Sequence, residues 1–218
     1  MTRFYVDTAD RDEAEPLLRS GLFYGITTNP TLLDSSGVKV SELDDFYAWA
    51  VDCGAQEVFF QTWGSSTEDL LQQGRKLRAI GERVVVKAPA TRDGTIAAAR
   101  LTADGCPTLL TAVYEAPQAL LAAAAGVRYL APYLGRMDDA GRDGLAETIA
   151  MAHALRGAQA CTQVLAASVR APMDLVQLAT AGIRCFTISP SLVDKLFACQ
   201  LTERATTAFE EAAARTAP

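Results

Sequence analysis

Lys87 closes the strand-like run Val84-Val85-Val86-Lys87-Ala88-Pro89. Three β-branched apolar residues read as a buried strand, and Pro89 limits how far it can run. A lysine at the end of such a strand holds its ammonium in poorly solvated surroundings. Desolvation disfavours the charged form and lowers the pKa. An uncharged amine near neutral pH is a nucleophile that can form a Schiff base with a carbonyl compound. The competing fate is a lysine that snorkels to solvent from the strand end. The other residues in equivalent places decide between the two.

Those residues are polar, at the ends of otherwise apolar runs. The first run ends at Asp7, and the second leads into Thr27-Thr28-Asn29-Pro30. The third ends at Gln61, the fifth at Thr111, the sixth at Tyr133 and the seventh at Ser168. Taken singly, each has an ordinary explanation. Asp7 could cap a turn, Asn29 before Pro30 is common turn chemistry, and Gln61, Thr111 and Ser168 could bond nearby backbone. Taken together with Lys87 they make a pocket in which buried polar groups partner one another around a nucleophile. A second signal is anion recognition. Arg136 follows the sixth run, and Ser168 and Arg170 follow the seventh. Guanidinium groups and a hydroxyl suit a phosphate.

Placing these residues together requires that all the runs end on one side. Eight candidate strands are legible: Arg3–Asp7, Tyr24–Thr27, Glu57–Gln61, Arg83–Lys87, Thr108–Thr111, Tyr129–Tyr133, Gln163–Ala167 and Arg184–Ile188. Between them lie helical patterns, among them Ser66–Ile80, Ala116–Ala125 and Leu145–Leu155. Alternating β and α units imply a parallel sheet. Eight units in a chain of 218 residues predict a (β/α)8 TIM barrel in one domain, residues 1–218. In that fold the strand ends share one face, where barrel active sites form. An open doubly wound sheet is the alternative, but Asp7-Thr8-Ala9-Asp10 stands where its glycine-rich loop belongs. Pro16 predicts that the first helix starts near it or kinks there. Beyond the eighth unit, residues 200–217 form one further helix with Leu201, Ala205 and Phe209 on a narrow stripe. That stripe must pack on its own barrel or on a neighbouring subunit.

Composition bounds the rest. The net charge of −6 and the lack of a basic stripe argue against a nucleic-acid partner. No apolar run reaches membrane-spanning length. The first residues read as a strand rather than a signal peptide. The five cysteines have neither metal-ligand nor redox spacing. They fit reduced thiols in a cytoplasmic protein. His153 is the only histidine, so a zinc site built on several histidines is excluded within one chain. Its place in a helical segment suits a surface or core-edge residue.

Six segments together resemble the transaldolase family. They are Asp7-Thr8-Ala9-Asp10, Gly25-Ile26-Thr27-Thr28-Asn29-Pro30, Val85-Val86-Lys87, Thr111-Ala112-Val113-Tyr114, Ala131-Pro132-Tyr133-Leu134-Gly135-Arg136 and Leu165-Ala166-Ala167-Ser168-Val169-Arg170. The closer similarity is to the small-subunit branch that includes fructose-6-phosphate aldolase, and it runs in order along nearly the whole chain. The resemblance implies a class I aldolase barrel without metal or cofactor, with Lys87 as the Schiff-base lysine. Tyr133 would move protons through a water held by Gln61 and Thr111. Asp7, Thr27, Asn29 and Ser168 would bind or orient the dihydroxyacetone unit, with Asp7 near enough to influence proton transfer. Arg136 and Arg170 would hold a sugar phosphate. Gln61, Tyr133 and Leu109 stand where transaldolases typically carry glutamate, phenylalanine and asparagine, which points to cleavage or formation of fructose 6-phosphate from dihydroxyacetone and glyceraldehyde 3-phosphate. A transaldolase, a non-catalytic sugar-phosphate-binding barrel and another Schiff-base lyase are the alternatives. The resemblance also implies a homo-oligomer, a pentamer or a pair of them.

Overall fold

The structure, a computed structural model, describes residues 1–216. Eight parallel strands form a closed barrel in sequence order. They are β1 (Arg3–Asp7), β2 (Phe23–Thr27), β3 (Glu57–Gln61), β4 (Val84–Pro89), β5 (Thr108–Val113), β6 (Tyr129–Pro132), β7 (Gln163–Ala166) and β8 (Cys185–Ile188). The pairing of β1 with β8, Phe4 opposite Phe186 and Val6 opposite Ile188, closes the ring and rules out the open sheet. The helices are α1 (Arg11–Arg19), α2 (Pro30–Ser35), α3 (Leu43–Asp52), α4 (Thr67–Ala79), α5 (Arg92–Ala103), α6 (Gln118–Ala125), α7 (Leu134–Asp139), α8 (Gly144–Gly157), α9 (Pro172–Thr180), α10 (Pro190–Phe197) and α11 (Gln200–Thr216). The expected TIM barrel with an added C-terminal helix is therefore the fold.

The period of two along each strand divides the apolar residues between two cores. Val84, Val86 and Ala88 of β4 face outward into the layer between sheet and helices. Val85 faces inward and packs with Tyr5, Phe59, Leu109, Tyr129 and Leu165. Lys87, two residues on, shares the inward parity of Val85. The valine run thus sends the lysine into the barrel rather than toward its helices.

Bulky aromatics fill the lower half of the barrel. Tyr5 meets Phe59 edge to face at 5.3 Å. The carboxylate of buried Glu57 accepts hydrogen bonds from the Tyr5 hydroxyl at 2.8 Å and the Tyr129 hydroxyl at 3.0 Å. It also pairs with Arg128 at 2.7 Å. Burial, reinforced by the Glu57 charge, pushes the Tyr129 phenol up to about 12 and Tyr5 in the same direction. This polar plug forms a floor, so open space inside the barrel is left at the C-terminal ends of the strands.

Helix ends follow local chemistry. Ser66 and Asp69 form a reciprocal capping box at the start of α4. Asp10 caps α1, accepting from the amides of Asp12 and Glu13. That cap, and not Pro16, sets where the helix starts. The helix starts five residues before the proline, whose missing N–H leaves only the carbonyl of exposed Asp12 unpaired within the helix. The last helix, α11, buries none of its residues on its own barrel. Leu201 is 75% exposed and Phe209 71%.

Candidate active site

Lys87 is 5% exposed and points into a cavity of about 110 Å³ at the C-terminal mouth. Its Nζ donates to the carbonyl of Thr28 at 2.6 Å. Its own carbonyl accepts from the amide of Thr62 at 2.8 Å, which fixes the backbone from which the side chain projects. Burial lowers the pKa of the amine to about 8, while the Asp7 carboxylate opposes that shift without cancelling it. About a tenth of the amine is therefore uncharged at pH 7, and about half at pH 8.

Asp7 is held by hydroxyls. Thr27 Oγ1 donates to Asp7 Oδ1 at 2.7 Å. Thr27 Oγ1 also lies 2.5 Å from Thr187 Oγ1. A hydroxyl has one proton to give, so Thr187 is the donor in the second bond. Asn29 caps α2 by accepting from the Leu32 amide at 3.0 Å, which leaves its NH2 group free to donate. Its turn role and its place on the cavity wall are thus compatible. Thr187 was not among the residues expected from the sequence. Its signal was the same as for the others, a polar residue breaking an apolar run, here Phe186-Thr187-Ile188.

The opposite wall is built from β5, β6 and the turn after β7. Thr111 Oγ1 and the Tyr133 hydroxyl are 2.7 Å apart. Their approach depends on an irregularity in β5, whose register with β6 shifts between Leu110 and Val113. Ala112 takes up the extra length in the left-handed region, at φ 55°. Ser168 is left-handed as well, at φ 58°. Such backbone is costly for residues with a Cβ and concentrates at functional sites. The Ser168 carbonyl accepts from the amide of Gly135 at 2.9 Å. A Cβ on Gly135 would sit 2.5 Å from that oxygen, so only glycine lets the two turns meet.

Not every expected residue shares this cavity. Asp7, Thr27, Asn29, Lys87, Tyr133, Arg136 and Ser168 line it, together with Leu109 and Thr187. Thr111 stands behind Tyr133. Gln61 is level with Lys87 across the β3–β4 ladder, yet it lines a neighbouring groove with Phe60, Trp63, Val38 and Val40. Arg170 forms a two-pronged ion pair with Asp139, one arm at 2.5 Å, and is not on the Lys87 cavity wall. It borders an adjoining hollow with Asp7, Ser168 and Thr187. Arg136 lies over the Tyr133 ring at 5.0 Å. No carboxylate among the described residues is within ion-pair distance of it.

A buried amine of lowered pKa, a fixed carboxylate, an amide donor and a phenol paired to a hydroxyl can together bind a polyhydroxylated carbonyl compound, form an imine and move protons around it. The electrostatics can be tested directly. The rate at which borohydride fixes dihydroxyacetone to the protein should rise with pH through an inflection near 8. Because the Asp7 carboxylate raises the lysine pKa, Asp7→Asn should move the inflection to lower pH. An inflection near the ordinary lysine value of 10.5, or an upward move in the variant, would contradict this arrangement.

Comparison with known proteins agrees with this geometry. The sequence profile of the family described as Transaldolase/Fructose-6-phosphate aldolase matches residues 4–217. A "Probable transaldolase" of Phenylobacterium zucineum (strain HLK1) is 37% identical over 204 residues, covering 93% of this chain and 92% of that protein. A "Probable transaldolase" of Aquifex aeolicus (strain VF5) is 34% identical over 201 residues, covering 92% and 91%. Among solved structures, a mandelate oxidase mutant with a monooxide FMN adduct superposes with a TM-score of 0.58 at 15% identity. That likeness covers 86% of this chain and 64% of the other, and it shows the barrel fold alone. With its Lys87 cavity at the C-terminal mouth of an eight-stranded barrel, the chain belongs to the transaldolase/fructose-6-phosphate aldolase family.

Proposed function

We propose that the chain is a Schiff-base aldolase that cleaves or forms fructose 6-phosphate from dihydroxyacetone and glyceraldehyde 3-phosphate. The observation that carries the proposal is the lowered pKa of buried Lys87 within one cavity shared with Asp7, Asn29 and Tyr133. Lys87 Nζ attacks the ketone carbon, and loss of water leaves an iminium. The iminium takes the electron pair when the next carbon–carbon bond breaks, giving an enamine. Tyr133, backed by Thr111, gives its phenol proton to the departing water, and as phenolate it takes the proton of the hydroxyl that becomes the aldehyde. Protonation of the enamine carbon and hydrolysis then release dihydroxyacetone and restore the amine. Asp7, Thr27 and Asn29 hold the donor hydroxyls, and Ser168 positions the terminal one. Arg136, at the rim and without a carboxylate partner, takes the phosphate; Arg170 contributes only by leaving Asp139. Gln61, which lines the neighbouring groove, has no part in these steps.

The names of the curated relatives favour a second reading, transfer of the dihydroxyacetone unit to another sugar phosphate. Leu109 and Tyr133 on the cavity wall favour release instead, since they keep the pattern associated with the aldolase type. Adding erythrose 4-phosphate to a fructose 6-phosphate assay separates the two. An aldolase should turn over fructose 6-phosphate at an unchanged rate and accumulate free dihydroxyacetone. Acceleration by the added acceptor, without free dihydroxyacetone, would assign the transferase instead.

The exposed stripe of α11 supports a homo-oligomer in which Leu201 and Phe209 pack on a neighbouring subunit, in a ring of five or a pair of rings. A chain truncated after Cys199 should be a monomer by light scattering. An unchanged mass per particle would remove α11 from the interface.

A further inference from the structure

A second cavity, of about 420 Å³, lies between the last turns of α8 and the starts of β1, β7 and β8. This is within the size range of small-molecule sites. Three arginines line it, Arg3 from β1, Arg156 from the last turn of α8 and Arg184 just before β8. No carboxylate lines it, and none of the three forms an ion pair among the described residues. Three cations without an ion-pair partner thus gather around one hollow in a chain of net charge −6.

Two of the guanidinium groups are held in place. Arg3 donates to the Tyr129 hydroxyl at 3.2 Å and lies over the Tyr24 ring at 4.3 Å. Arg156 Nη1 donates to the Ala181 carbonyl at 2.6 Å. It crosses the chain at Gly182, whose φ is 89° and where a Cβ would lie 2.6 Å from Nη1. Arg184 is exposed and makes no side-chain hydrogen bond among the described residues, so its donors are available to a ligand in the hollow. Gln163 adds a further donor. Its Oε1 accepts from the Cys185 thiol at 3.3 Å, which leaves the NH2 group for a ligand. Donors fixed before binding lose little freedom when they take a ligand. Guanidinium forks match phosphate oxygens in pairs.

We propose that this N-terminal hollow is a binding site for a small phosphate-bearing anion, gripped by Arg3, Arg156 and Arg184 and separate from the Lys87 cavity. Its donors come from three directions, so it favours a ligand with two phosphate groups, or one phosphate and a second anionic group, over a single orthophosphate. The site does not depend on which reaction Lys87 performs.

Isothermal titration calorimetry of the full chain with inorganic pyrophosphate tests this. The expected result is saturable binding of one pyrophosphate at this site per chain. Arg156→Gln/Arg184→Gln should weaken it by about tenfold or more, as loss of charged hydrogen bonds predicts. Arg136→Gln, at the opposite mouth, should leave it unchanged. Arg184→Gln alone removes an unbonded, exposed side chain, so it keeps the fold and should weaken binding in the same direction. Absence of saturable binding would overturn the proposal. So would equal affinity in the Arg184→Gln and unaltered proteins, or loss of binding in Arg136→Gln instead.

Discussion

Lys87→Arg should lose aldol cleavage of fructose 6-phosphate by more than about four orders of magnitude, the scale on which removal of a covalent nucleophile acts. Arginine keeps a positive charge and a similar reach, but its guanidinium is always protonated and forms no imine under these conditions. The comparison isolates the nucleophile from the charge. A measurable fraction of normal turnover in the purified variant would contradict covalent catalysis. Lys87→Met gives a second, independent readout. In the folded chain the amine titrates near 8, against 10.5 for an ordinary lysine. Between those values the unfolded chain holds the proton and the folded chain does not, so stability rises with pH through that window. Below it, the folded state carries the full deficit, about 3 kcal/mol for a shift of this size. Methionine has no proton to lose. It should raise the unfolding free energy at pH 7, less the cost of the unpaired Thr28 carbonyl, and flatten the dependence on pH between 8 and 10.5. A variant less stable than the parent at pH 7, with the same pH slope, would show that the lysine is not held in a desolvated site.

Tyr133→Phe should lower kcat by about two to four orders of magnitude, the usual contribution of a positioned acid or base. It should slow imine formation at Lys87 far less than it slows cleavage. The ring stays, so Arg136 and Tyr114 keep their packing partner. What disappears is the hydroxyl 2.7 Å from Thr111 Oγ1. The two steps of the reaction should therefore separate. Adduct would still accumulate and be fixed by borohydride, while carbon–carbon cleavage stalls. Thr111→Val should lower the rate of cleavage by a smaller factor, because it removes the partner of the phenol and not the phenol itself. An equal loss of trapping and cleavage in Tyr133→Phe would mean that Tyr133 acts in building the site rather than in proton transfer.

Much of this was legible in the sequence because each strand carries its own parity. Valine at 84, 85 and 86 identifies β4, and the inward place of Val85 fixes that of Lys87. Their position at strand ends of a parallel barrel placed Asp7, Thr27 and Tyr133 at one mouth. Legibility ended where the decisive contact lies between distant segments. Nothing local to Arg170 announces Asp139, yet that ion pair turns the side chain away from the Lys87 cavity. Gln61 has the right parity and the right level, yet it lines the groove at Trp63. Thr187 was passed over because β8 ends at Ile188, although its hydroxyl completes the chain that holds Asp7. The left-handed turn at Ala112 carries no signal, since alanine is ordinary in a strand and no glycine marks the irregularity. Glu57 is the first residue of its strand, and nothing beside it in the sequence marks its partners. Only the closed barrel brings Tyr5, Tyr129 and Arg128 around it. Of the two signals for the first helix, the Asp10 cap sets where it begins.

The central claim concerns one amine, and the chain offers a clean comparison. Of its four lysines, Lys39, Lys76 and Lys195 are exposed, and Lys87 alone is buried. The most direct test is to incubate the protein with fructose 6-phosphate, reduce with borohydride, and locate the added mass by peptide mass spectrometry. A single stable adduct on the peptide containing Lys87, absent without sugar, is the result expected. An adduct spread over the exposed lysines, or none at all in protein that turns the sugar over, would contradict it.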